Sequence, residues 1–161
     1  MLSLALNPFA KHVLASGGAD SSVKLWDVGE GKCSATLDTL HKGKVQTVLW
    51  SPISESALLT GGFDGKIKVR DVKANVGVTI ATPSDIEDAC FHPTSKFNIV
   101  ASFEDGSVNY YDLRKAEKGP IMEILPANNK TTPTGLTFVR GYESALAICS
   151  KDGMVRVFDI G

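Results

Sequence analysis

The stretch LTGGFDGKIKVRDV, Leu59 to Val72, decides the fold. It begins in an apolar run, Ala57 to Thr60, closed by Gly61-Gly62. Asp64-Gly65 follows, a pair suited to a tight hairpin because Gly accepts the positive φ such turns require. Ile67, Val69 and Val72 then mark a returning strand, and Asp71 closes it. Upstream, Val45 to Trp50 is a further apolar run, broken by Ser51-Pro52; downstream, Val76 to Ile80 supplies a fourth. The region therefore reads as four short strands linked by turns.

Three more segments repeat the design. ASGGADSSVKLWDV (15–28), ASFEDGSVNYYDL (101–113) and ICSKDGMVRVFDI (148–160) each carry a turn Asp with a second Asp closing the next strand. The pairs are Asp20 and Asp27, Asp105 and Asp112, and Asp152 and Asp159, beside Asp64 and Asp71. The offset within a copy is constant while the spacing between copies drifts, as in structural repeats with elastic connections. Four strands, a tight turn and a period of about 40–45 residues describe a β-propeller blade. The expectation is an all-β chain, 1–161, holding four consecutive blades over approximately 1–40, 41–81, 82–126 and 127–161.

Strands are expected at Leu2–Leu6, Val13–Ser16, Val23–Trp26 and Ala35–Leu37 in the first copy. The third should hold Ile86–Phe91, Ile99–Ser102, Val108–Tyr111 and Ile121–Leu125, and the last Gly135–Val139, Ala145–Cys149 and Val155–Ile160. The fourth copy thus stops one strand short. An open array leaves two apolar blade faces wet, so the chain reads as part of a larger ring. A self-sufficient half, a pair of halves and a four-bladed closure are the alternatives.

Composition adds exclusions. Net charge is −1 and 43% of residues are hydrophobic, so a core is affordable and no global field draws in nucleic acid or anionic lipid. No apolar run approaches the ~20 residues of a membrane span. MLSLALNPFAKH reads as a first strand and not as a leader peptide. Arg114, Lys115 and Lys118 read as a solvated loop, and Cys33, Cys90 and Cys149 as buried or half-buried reduced thiols without metal spacing. No cofactor is expected.

Trp26-Asp27 is the signature pair of the WD40 repeat family, which the chain resembles along essentially its whole length; Arg70, Tyr111 and Phe158 replace the Trp elsewhere. That resemblance implies a seven-bladed ring. It also implies a hydrogen-bonded chain in each blade running from a His in the lead-in loop through the turn Asp and a Ser or Thr to the Trp. The second copy offers His41, Thr60 and Asp64 with Arg70 in the Trp position; the first offers Ser16, Asp20 and Trp26. The third and fourth keep Asp105 and Asp152 but hold Thr82-Pro83-Ser84 and Asn128-Asn129-Lys130 where the His would be. Those carboxylates are expected to bind N–H groups of their own turns. His41, Asp64 and Thr60 superficially form a His–carboxylate–hydroxyl set, but repeat position accounts for them, and no catalytic residue is assigned.

GKCSATLDTLHKGKVQTVLWSP (31–52), the Trp-less second copy, and the Ser102 to Gly106 turn leading into Tyr111-Asp112-Leu113-Arg114 are similar to the periodic tryptophan proteins within that family. This resemblance implies a nuclear to nucleolar protein-interaction scaffold in ribosome biogenesis, rRNA processing and ribosomal-DNA chromatin. A generic adaptor for a peptide or histone tail is the alternative, and a propeller hydrolase a more distant one. Expected partners are proteins, with the remaining blades supplied by further chain or a second copy; membrane and direct nucleic-acid binding are not expected. The partner face should carry the residues preceding each turn Asp, namely Ala19, Phe63, Glu104 and Lys151, bordered by Lys42, Lys44 and Asp85.

Overall fold

The computed structural model describes residues 2–127 and 132–161. Among them lie four separate antiparallel sheets of consecutive strands. The first holds β1 (Ser3–Leu6), β2 (Val13–Gly17), β3 (Val23–Asp27) and β4 (Lys32–Thr36). The second holds β5 (Val45–Trp50), β6 (Ala57–Gly62), β7 (Lys66–Asp71) and β8 (Val76–Ala81). The third holds β9 (Ile86–Phe91), β10 (Asn98–Phe103), β11 (Val108–Asp112) and β12 (Met122–Leu125). The fourth has β13 (Pro133–Phe138), β14 (Ala145–Ser150) and β15 (Val155–Asp159). These are blades, the last of them three-stranded.

The turns follow from local chemistry. The residue after each turn Asp has positive φ: Ser21 at 68°, Gly65 at 66°, Gly106 at 90° and Gly153 at 80°. Gly is the low-strain choice there, and the first blade alone uses a side-chain-bearing residue. The closing Asp works after its strand, accepting backbone N–H groups of the following turn. Asp27 takes Gly29 and Glu30, Asp71 takes Lys73 and Ala74, and Asp112 takes Arg114.

Apolar clusters fill the three seams between sheets. In the second blade, Val48 and Trp50 of β5 face the first blade with Ala15, Val23 and Leu58, whereas Leu49 of β5 and Leu59 of β6 face the third with Ile67, Ile86 and Phe91. The last seam packs Val100 and Val108 against Leu136, Leu146 and Ile148. Burial on both faces explains why the inner strands read as near-continuous apolar runs.

The seams differ in their polar links. Across the first, Val45 N–H donates to Gly18 O (2.9 Å), Val48 N–H to Ser3 Oγ (3.1 Å), Trp50 Nε1 to Ala5 O (3.1 Å) and Asn7 Nδ2 to Glu55 O (2.8 Å). Across the third, Leu136 N–H donates to Asp88 Oδ2 (2.8 Å), Thr94 Oγ1 to Glu143 (3.0 Å), and Lys151 pairs with Glu87 (3.5 Å). Among the described residues no hydrogen bond joins β5–β8 to β9–β12; that seam is apolar only.

Three expectations shift. The fourth strand of the first blade starts at Lys32, ahead of the expected Ala35, and pairs with β3 through a register shift between Leu25 and Trp26. The basic loop after β11 is a 3-10 helix, Leu113–Lys118, started by Asp112, whose carboxylate also holds the Arg114 guanidinium (Nη2 to Oδ2, 2.7 Å). Cys33 and Cys149 are exposed, not buried: Cys33 lies on a blade's outermost strand and Cys149 on the uncovered face of the last sheet. Burial pushes the Cys90 thiol up to about 12.

Candidate functional site: the lead-in face

Three of the four pre-turn residues are tied to their blade's lead-in loop by one backbone bond. Phe63 N–H donates to Lys44 O (2.8 Å), Glu104 N–H to Asp85 O (2.9 Å) and Lys151 N–H to Thr132 O (2.9 Å). These bonds place Phe63 beside Lys44, and Glu104 beside Asp85, on one face of the array. Phe63 is 39% exposed although aromatic. Lys42, Lys44, Glu104, Lys151 and Ala19 are exposed as well, and Asp85 is half-buried. The face is zoned: Lys42 and Lys44 around Phe63 on the second blade, carboxylates on the third. Lys151 is engaged by Glu87.

Beneath Phe63 lies the polar chain of the second blade. His41, with a fully buried side chain, meets Asp64 Oδ1 through Nδ1 (2.9 Å) and Thr60 Oγ1 through Nε2 (2.8 Å). Burial holds His41 below its ordinary range against the pull of Asp64, with Lys68 and Lys66 adding to the depression. The ring is therefore neutral at pH 7. A carboxylate can only accept, so the proton sits on Nδ1, and Thr60 donates its hydroxyl to Nε2. Burial opposes ionisation of Asp64, but its bonds from His41 and Lys42 N–H (3.0 Å) outweigh it and keep the carboxyl below the usual range. Gly62 makes room: a Cβ there would stand 2.5 Å from His41 Nδ1. Arg70 takes no part and instead binds Asn75 Oδ1 through Nη2 (2.5 Å).

The other turn carboxylates point elsewhere. Asp20 accepts Ser22 N–H (3.2 Å) and Oγ–H (2.8 Å), Asp105 accepts Ser107 N–H (2.9 Å) and Oγ–H (2.6 Å), and Asp152 accepts Met154 N–H (3.1 Å) and Arg156 (2.6 Å). In the first blade Trp26 Nε1 donates to Ser16 Oγ (2.9 Å). Ser84 Oγ, in the His position of the third blade, accepts Asp105 N–H (3.2 Å) and leaves the carboxylate to its own turn. Asn128, Asn129 and Lys130 lie outside the described residues.

Four further residues make links that the sequence did not assign to them. Asn7, Ser51 and His92 each precede a Pro at the end of an inner strand, and each side chain accepts N–H groups of the turn beyond. The shared X-Pro signal was legible, but a different residue type in each copy hid it. Asp88 is the other. Nothing in its strand marks it as a link between blades, and burial raises its carboxyl above the ordinary range despite N–H donors from Leu136 and Ala89. No group of three or more His, Cys, Asp or Glu suited to a metal ion occurs among the described residues.

Comparison with known proteins agrees with the geometry. The family model described as WD domain, G-beta repeat matches residues 1–27 and 31–71. The chain is 27% identical over 164 residues to Periodic tryptophan protein 1 homolog of Drosophila melanogaster, covering 99% of this chain and 35% of that protein. It is 30% identical over 160 residues to Periodic tryptophan protein 1 of Saccharomyces cerevisiae, covering 94% of this chain and 27% of that one. Probable coatomer subunit beta' of Schizosaccharomyces pombe is 36% identical over 115 residues, 69% of this chain and 14% of the other. The chain thus spans about a third or less of these relatives. A WD40 repeat model matched on residues 1–27 and 31–71, and four consecutive antiparallel blades, make this a WD40-repeat chain.

Proposed function

We propose that the chain is a non-catalytic interaction scaffold acting in ribosome biogenesis in the nucleus, with its lead-in face as the partner-binding surface. The observation that carries the scaffold reading is Phe63, a 39% exposed aromatic whose backbone is pinned to Lys44 over a buried His–Asp–Thr chain. An aromatic held on a rigid base reaches a partner at little entropic cost, and such residues dominate interface energetics. Flanking Lys42 and Lys44 suit a partner segment with acidic groups beside an apolar anchor. The ribosomal assignment rests on similarity to the periodic tryptophan proteins over 94–99% of the chain.

The test is co-sedimentation of tagged chain with pre-ribosomal particles in extracts of its own cells, for the wild type and Phe63→Ser. Association that Phe63→Ser weakens by tenfold or more is the expected result. Free sedimentation of the wild type refutes the ribosomal assignment, whereas undiminished association of the variant refutes the choice of face.

A further inference from the structure

In the first three blades the fourth strand forms the rim, and its outer edge carries unpaired backbone groups. Proteins blunt such edges with short strands, charges, prolines or bulges. β4 carries Lys32 and pairs through a register shift between Leu25 and Trp26. β12 has four residues, carries Glu123 and shifts register between Val108 and Asn109. β8 has none of these devices. Its six residues, VGVTIA, include no charge and no proline, and they pair with β7 without a break. The first and third blades pack on the two faces of this blade, so the rim edge of β8 is set by neither end of the array.

The edge has a defined chemistry. Thr82 N–H donates inward to Gly65 O (3.0 Å), which fixes the phase of the ladder, so Val76, Val78 and Ile80 bond to β7. Gly77, Thr79 and Ala81 therefore turn N–H and C=O outward, and among the described residues nothing bonds to them. All three are exposed. Opposite them on β7, in cross-strand register, stand Arg70, Lys68 and Lys66, three cations on one face of the sheet. Lys68 and Arg70 border a groove with Gly77 and Thr79. Among the described residues Lys66 and Lys68 make no ion pair, and Arg70 is held by the neutral Asn75. On the other face stand Val76, 62% exposed, and Val78.

We infer that β8 receives an extended segment of a partner protein, paired strand to strand, in which acidic and apolar residues alternate. The outward groups of Gly77, Thr79 and Ala81 supply the backbone ladder. Side chains of the added strand alternate between the two faces, and its backbone lies about 10 Å from that of β7, two strand spacings away. Long Lys and Arg side chains cross that gap, because Gly77, Thr79 and Ala81 between them are small. Carboxylates on this face meet three cations, while apolar residues on the other meet Val76 and Val78. A second copy of β8 fits poorly, because antiparallel pairing lays two rows of cations side by side. The site is separate from the lead-in face and does not rest on it.

The experiment is NMR titration of isotope-labelled chain with two capped peptides of β8 length, one alternating Val and Glu, the other Val and Lys. The Val–Glu peptide should bind at least tenfold tighter, weaken as salt rises, and shift the amides of Gly77, Thr79 and Ala81 most. Thr79→Pro removes an outward N–H and should cut the affinity tenfold or more. Lys66→Glu/Lys68→Glu should reverse the preference between the peptides, which loss of fold cannot do. Phe63→Ser should change neither affinity. No binding at millimolar peptide, equal affinity for the two peptides, an unreversed preference in the charge-swapped variant, or shifts centred away from β8 would overturn the inference. Perturbation of the same amides on concentrating the chain alone would overturn it as well, by giving the edge to a second copy.

Discussion

Asp64 and Asp152 occupy the same position of the repeat, yet the structure assigns them different weights. Replacing Asp64 with Ala removes the acceptor of two donors. Lys42 N–H is on an exposed residue, and water replaces that bond. His41 Nδ1–H cannot be rescued in this way, since the ring is fully buried. Moving the proton to Nε2 would leave Nδ1 a bare acceptor in the same dry place, so one buried polar atom stays unsatisfied in either tautomer. Such a loss costs about 1–3 kcal/mol. For a domain of this size that corresponds to a midpoint shift of about 2–12 °C. Asp152→Ala should shift the midpoint less, because Met154 is exposed and the Arg156 side chain is 39% exposed, so water can replace both bonds in part. The assay is thermal unfolding of wild type and both variants, with His41→Gln added for a double-mutant cycle. The double variant should cost less than the two singles together, since they remove one interaction. Equal shifts for Asp64→Ala and Asp152→Ala, or additive costs in the cycle, would refute the reasoning.

Three other outcomes are expected. Stability should fall as pH drops through about 6.5, the ordinary His value, because His41 is depressed in the fold and the unfolded chain binds the extra proton; unfolding midpoints between pH 8 and 5.5 should show a slope that His41→Gln flattens. Gly62→Ala should destabilise by about 1–3 kcal/mol by overpacking, since the new Cβ would stand 2.5 Å from His41 Nδ1 and 2.9 Å from Asp64 Oδ1; its cost should not add to that of Asp64→Ala in denaturant titration. A thiol reagent should modify Cys33 and Cys149 in the native protein and reach Cys90 only on unfolding, because the first two are exposed and the last is held protonated by burial; mass spectrometry of labelled peptides checks it.

How legible the fold was depends on the type of signal. The Asp–Gly turns and alternating runs encode backbone conformation locally, so strands such as Val45–Trp50 and Ile86–Phe91 could be bounded to the residue. The edge strand Lys32–Thr36 could not be: its side chains face water on both sides, and no apolar pattern marks where pairing begins. In the candidate site, His41, Thr60 and Asp64 were readable as one group only through the resemblance to WD40 repeats, since no other copy holds a His in that loop. The destinations of Arg70 and Asp88 were not, since each depends on a partner, Asn75 or Leu136, set by the three-dimensional packing. Cys149 looked like a core residue for a related reason: its strand is apolar enough for burial, but the face it occupies has no blade over it.

The apolar middle seam has a mechanical consequence. Hydrogen bonds are directional, so the first and third seams fix both the spacing of their blades and the angle between them. Apolar burial is non-directional, so at the second seam the angle is set by side-chain shape alone. The joint least constrained in angle is therefore the second seam, between Ile67 and Ile80 on one side and Ile86 and Phe103 on the other. Any bending of the four blades should concentrate there, in the packing of side chains and not in the breaking of hydrogen bonds.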